Sequence, residues 1–141
     1  MQETPKISNG AKKILIVEDD NLIAEMYVSK FRKAGYEVDS AKDGQEAITK
    51  AKNDKPNLVI SDVVLPNKDG FEILQAIKSD PELKSTKVIL LTNLGEPENI
   101  KRGLESEADA YLIKAHSTPS QIVEKIEEIL NEIDEPKNDI E

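Results

Sequence analysis

Four short runs constrain this chain more than any other feature: KILIV at 13–17, NLVIS at 57–61, KVILL at 87–91 and AYLI at 110–113. Each is nearly continuous in apolar residues and lacks the polar alternation of a strand with one wet face. Strands of that kind are buried on both sides, as in a parallel sheet covered by helices above and below. Each run also ends abruptly at residues with chemistry: Glu18 and Asp19, Asp62, Thr92 and Lys114.

The stretches between the runs carry helical patterns. After the first run, Ile23, Met26, Tyr27, Phe31 and Ala34 recur at helical spacing, and Gly35 is a natural stop. Tyr36–Ala41 predicts a second strand, and Asp43-Gly44 a turn before a helix from about Gln45 to Lys52. A helix from about Gly70 to Lys78 puts Phe71, Leu74 and Ile77 on one face, and Pro81 closes that unit. The helix expected from about Glu98 to Glu105 is poor in apolar residues and contains Gly103. Thr118-Pro119-Ser120-Gln121 announces the last helix, with a hydroxyl cap, proline at the first helical position and a glutamine that completes a capping box. Ile122, Ile126, Ile129 and Ile133 then form its buried stripe.

Five strands alternating with five helices imply a doubly wound α/β fold with right-handed crossovers, in one domain over 12–133. Residues 1–11, polar with Pro5 and Gly10, and the acidic DEPKNDIE of 134–141 read as tails.

In such a sheet, function gathers at the carboxyl ends of the strands. If the first and third strands are neighbours, about 4.8 Å apart, the carboxylates of Glu18, Asp19 and Asp62 share one small volume. A divalent cation relieves that cluster, and Mg²⁺ suits it because it takes hard oxygen ligands, few of them carboxylates. Asp62 is then placed as a nucleophile toward phosphorus. Lys114 is placed to neutralise a phosphoryl oxygen, and the Thr92 hydroxyl to hydrogen-bond it. Phosphoryl transfer relies mainly on positioning and charge, so this set is chemically sufficient.

Composition narrows the partners. With 28 acidic against 19 basic residues, the net charge of −9 argues against direct nucleic-acid binding and favours a protein partner. The absence of cysteine excludes disulfides and thiolate metal sites, and the single His116 excludes a multi-histidine site within one chain. Without a signal-peptide pattern or a membrane-length apolar stretch, the expectation is a soluble cytoplasmic protein.

Four motifs, ILIVEDD at 14–20, DVVLPNKDG at 62–70, LLTN at 90–93 and DAYLIKA at 109–115, together resemble the response-regulator receiver domain of two-component signalling, in particular its single-domain chemotaxis-type members. The resemblance covers nearly everything from Lys12 to Ile133, and four motifs in order at four predicted strand ends are specific. It implies a flavodoxin-like sheet in the order 2-1-3-4-5 with five helices. It further implies that Asp62 is the phosphoacceptor, that Glu18 and Asp19 serve Mg²⁺, and that the Val64 backbone carbonyl is a further ligand. Lys114 is the corresponding phosphoryl-binding lysine, and Thr92 and Tyr111 resemble the switch pair. The implied donor is a histidine kinase or phosphotransfer protein, and the implied readout is a downstream protein target, or a homodimer, at the surface of helix four, strand five and helix five. Such a domain is an autocatalytic acceptor rather than a turnover enzyme.

The sequence also departs from the family's pattern. Ala115 follows Lys114 where the family usually has proline, and a trans bond is expected there because cis before a non-proline residue costs about 2.5–4 kcal/mol. Asn93 is larger than usual and narrows access to Asp62. Val64 and Leu94 are apolar where relatives often position hydrolytic water, which predicts slow self-dephosphorylation. Two other readings compete: a phosphorylation-independent receiver-like interaction module, and a Mg²⁺-dependent aspartyl-phosphate phosphohydrolase. The latter usually needs a second acid where this chain has Val64. Asp20 reads as a helix cap, His116 as an exposed loop residue, and Glu124, Glu127, Glu128 and Glu132 as a solvated helix face.

Overall fold

The computed structural model describes residues 12–92, 101–103, 105–114 and 117–134. Strand β1 (Lys13–Val17) leads into α1 (Asn21–Lys33), β2 (Glu37–Ala41) into α2 (Gly44–Asp54), and β3 (Leu58–Asp62) into α3 (Gly70–Lys78). After β4 (Lys87–Thr92), residues 101–103 and 105 are helical and form the described part of α4. β5 (Ala110–Ile113) and α5 (Pro119–Asp134) complete the order. The sheet is parallel throughout, in the order β2-β1-β3-β4-β5.

Successive side chains point to opposite faces of a strand, so continuous apolar runs feed two cores. Leu15, Val17, Val59, Val88 and Leu90 pack with the buried residues of α2 and α3. Ile14, Ile16, Leu58, Ile60 and Leu91 pack with those of α1 and α5. Each such side chain, fully buried, contributes roughly 1.5–3 kcal/mol relative to exposure. This explains why the runs of β1, β3 and β4 carry no alternation, whereas β5, expected to be buried on both faces, lies at the edge of the sheet and is half-buried along its length.

Helix starts follow their caps. The Asp20 side chain accepts the N–H groups of Leu22 and Ile23, and Asp43 accepts that of Glu46, so α2 begins at Gly44. Asp69 and Glu72 form a capping box on α3. On α5, the Thr118 N–H donates to Gln121 Oε1 and the Gln121 N–H to Thr118 Oγ1, as their spacing predicts.

Some boundaries differ from expectation. Asp62 and Thr92 are the last residues of β3 and β4 rather than the first beyond them, because the ladder pairs Asp62 with Leu91 and Thr92 with Ile113. In α1, Ala24 takes the buried position while Ala34 is the exposed C-cap. α5 runs through Asp134. Residues 1–11 and 135–141, 98–100 and Leu104 of the expected fourth helix, and Asn93, Leu94, Ala115 and His116 lie outside the described residues. None of the described helices is long and apolar enough to cross a membrane.

Candidate functional site

The carboxyl edge of β1, β3, β4 and β5 encloses a cleft of about 530 Å³ whose walls include Glu18, Asp19, Asp62, Val64, Thr92 and Lys114. Every residue singled out at a strand end therefore reaches one place. Tyr111 does not line it; it sits lower on β5, paired with Leu90, and packs against the α2/α3 side of the core.

Glu18 directly follows β1 and its N–H still donates to the Ala41 carbonyl of β2, at 3.0 Å. That continuation of the ladder turns its side chain into the interior, where it is 5% exposed, whereas Asp19 is exposed. Asp62 closes β3 and is held from beyond: the Val63 N–H donates to Leu91 at 2.9 Å, and the Gly70 N–H donates to the Val63 carbonyl at 2.8 Å. Carboxylate oxygens of Glu18, Asp19 and Asp62 lie within 4.8 Å of one another. Lys114 reaches in from the end of β5, its Nζ 2.8 Å from Asp62 Oδ1 and 3.1 Å from Glu18 Oε1. Thr92 is buried on the wall between them.

The electrostatics follow from burial and crowding. Burial, reinforced by Glu18, pushes the Asp62 carboxyl up to about 7, and the Lys114 ammonium opposes that rise without cancelling it. Glu18 is also penalised by burial, but Asp62, the Asp20 N–H and Lys114 outweigh this and hold it below the usual carboxylate range. Burial works against the Lys114 charge, yet its two carboxylate partners hold its pKa up. Among the described residues, three carboxylates face one ammonium, which leaves the cleft short of positive charge. A hard divalent cation fits that donor set, which is oxygen throughout and includes the exposed Asp19 on the open side.

Three features of the site have no counterpart in the sequence motifs. The Lys114 ammonium bridges both acids, because β5 lies at the end of the sheet and its long side chain spans to Glu18. Ser61, fully buried, donates its hydroxyl to the Asp62 carbonyl at 2.8 Å. The β3–α3 loop is bonded to the start of α2 through Asn67 and Asp43. The turn-rich PNKDG at 66–70 signals a loop but not its partner.

Comparison with known proteins bears on the same residues. The family described as "Response regulator receiver domain" matches residues 14–127. The chain is 34% identical over 131 residues to the Alkaline phosphatase synthesis transcriptional regulatory protein PhoP of Bacillus subtilis (strain 168), covering 92% of this chain and 53% of that protein. It spans about half the length of such curated relatives, or less. Among solved structures, the chemotaxis response regulator CheY4 of Vibrio cholerae superposes with a TM-score of 0.77 at 32% identity, covering 84% of this chain and 98% of that one. The phosphorylated cyanobacterial phytochrome response regulator RcpA gives 0.75 at 31% identity, covering 84% and 93%. The likeness runs from β1 into α5 and includes the whole charged edge, and with sheet order and sequence in agreement the chain belongs to the response regulator receiver domains, the signalling modules of two-component systems.

Proposed function

We propose that this receiver is a phosphorylatable switch in which Asp62 accepts a phosphoryl group. Glu18, Asp19, Asp62 and the Val64 carbonyl would hold Mg²⁺. The observation that carries the reading is the Lys114 ammonium 2.8 Å from Asp62 Oδ1, inside a cluster of three carboxylates. When bound, Mg²⁺ supplies the positive charge that phosphoryl oxygens require. The chain's own residues do the remainder. An Asp62 oxygen forms the bond to phosphorus as the bond from phosphorus to the donor's leaving group breaks. That donor is the phosphohistidine of a histidine kinase or phosphotransfer protein, the partner class of receivers. Lys114 moves its hydrogen bond from the carboxylate to a phosphoryl oxygen, and Thr92 donates its hydroxyl to another.

Thr92 ends β4 and Lys114 directly follows β5, so the added charge is felt along strands that carry Tyr111 and border α4 and α5. The surface of α4, β5 and α5 is the proposed readout for a protein target. The Val64 side chain is 75% exposed at the mouth of the cleft and offers no group to orient hydrolytic water, which supports a long-lived phosphorylated state.

Intact mass after incubation with acetyl phosphate tests this. A single Mg²⁺-dependent phosphoryl adduct is expected, absent in Asp62→Asn, decaying slowly once donor is removed and faster in Val64→Asn. No adduct on folded, Mg²⁺-binding protein would reject the reading and leave a phosphorylation-independent interaction module.

A further inference from the structure

The β3–α3 loop is fastened at two places. Its ends close on each other through the Gly70 N–H and the Val63 carbonyl at 2.8 Å, and a Cβ at Gly70 would sit 2.5 Å from the Asp62 carbonyl oxygen. Its tip is fastened to a different element, the first turn of α2. The Asn67 amide donates to Asp43 Oδ2 at 2.9 Å, and the Gly44 N–H donates to the Pro66 carbonyl at 3.3 Å. Contact there is close enough that a Cβ on Gly44 would lie 2.0 Å from the Lys68 carbonyl oxygen. That oxygen is backbone and cannot swing aside, so only glycine lets the loop lie on the helix.

The strap uses Asp43 twice. Oδ1 caps α2 by accepting the Glu46 N–H at 2.8 Å, which leaves Oδ2 for Asn67. Asn67 is in the left-handed region, with φ at +68°, a conformation in which asparagine is among the better-tolerated side chains. Between the two fastenings stands Val64. Among the described residues no backbone hydrogen bond fixes Val64 itself, so its carbonyl is placed by what holds the loop on either side.

We propose that Asp43, Gly44 and Asn67 are positioning residues for the cation site, setting through this strap where the Val64 carbonyl lies relative to Glu18, Asp19 and Asp62. The inference rests on the Mg²⁺ reading above. It makes the first turn of α2, which touches neither cation nor phosphoryl group, a determinant of metal affinity.

Calorimetric titration of the full chain with MgCl₂ tests it. Asn67→Gly keeps the left-handed backbone and deletes the amide. Asp43→Ser keeps a hydroxyl to cap α2 but has no second oxygen for Asn67. Each is expected to weaken Mg²⁺ binding by about 3–10-fold, and the double variant to be no weaker than the worse single one, because both remove the same bond. Phosphorylation by acetyl phosphate should slow in both at limiting Mg²⁺ and recover at saturating Mg²⁺, a pattern that mere loss of stability would not produce. Wild-type Mg²⁺ affinity in both single variants overturns the strap and leaves the proposed function standing. No Mg²⁺ binding by the wild type overturns both.

Discussion

Asp62 is where the molecule's requirements conflict. The phosphoryl acceptance proposed for it wants an ionised carboxylate, yet burial and Glu18 lift this one to about 7. In metal-free protein the folded state therefore keeps a proton that an unfolded chain releases near 3.8. A carboxyl raised in this way contributes stability that is fully present below the unfolded value and is lost as pH climbs through the folded one. Metal-free wild type should accordingly lose stability between pH 4 and 7 through this group, on the order of 3 kcal/mol. Asp62→Asn, neutral throughout, should not share the loss. Urea unfolding in EDTA at pH 5 and pH 8 checks the sign: the variant should be the more stable at pH 8, with a smaller advantage at pH 5. An advantage that does not change with pH would show that Asp62 carries no such penalty. The strand-end pattern made the place of Asp62 in the charged cleft legible, but its protonation depends on how deeply the β1–β3 edge is covered, which no spacing records.

Elements differ in how openly the sequence declares them. The four apolar runs, the α5 capping box and the limits of α3 and β5 were legible, because each rests on neighbours in sequence. The ends of β3 and β4 were not, since cross-strand pairing carries the ladder one residue into polar Asp62 and Thr92. Gly103 is the clearest case of a meaning set by another element. In sequence it weakens a helix; in the structure a Cβ there would lie 2.2 Å from Cδ1 and 2.5 Å from Cγ of Tyr111. Cγ cannot retreat unless the whole ring leaves, so Gly103 is the notch of α4 in which the Tyr111 ring lies, its hydroxyl buried. Gly103→Ala should cost about 1–3 kcal/mol through overpacking, despite alanine's better helix propensity. In a Tyr111→Ala background the same change should be neutral or stabilising. A double-mutant cycle by urea denaturation measures the difference. Equal effects in the two backgrounds would mean that the Tyr111 ring does not set the cost of a side chain at position 103. If Tyr111 is the switch aromatic, this notch is what admits its inward position.

At the scale of the whole molecule, two cores on opposite faces fix the sheet, and the sheet delivers acids from β1 and β3 and a lysine from β5 to one edge. Packing thus holds together a cluster that electrostatics would disperse, in a chain whose net charge is already −9. A ligand that binds only the folded arrangement stabilises it by mass action. At Mg²⁺ ten times its Kd the gain is about 1.4 kcal/mol, or about 5 °C in Tm for a domain of this size. General screening of an acidic protein also raises Tm, so the comparison is with NaCl at matched ionic strength. Scanning calorimetry should show a Mg²⁺-specific rise in wild type that Asp19→Asn largely abolishes, since Asp19 is the exposed member of the cluster and its loss leaves the Glu18–Lys114–Asp62 contacts in place. A rise that survives in Asp19→Asn, or that NaCl reproduces, would place the cation's effect on the overall charge and not at the carboxyl edge of the sheet.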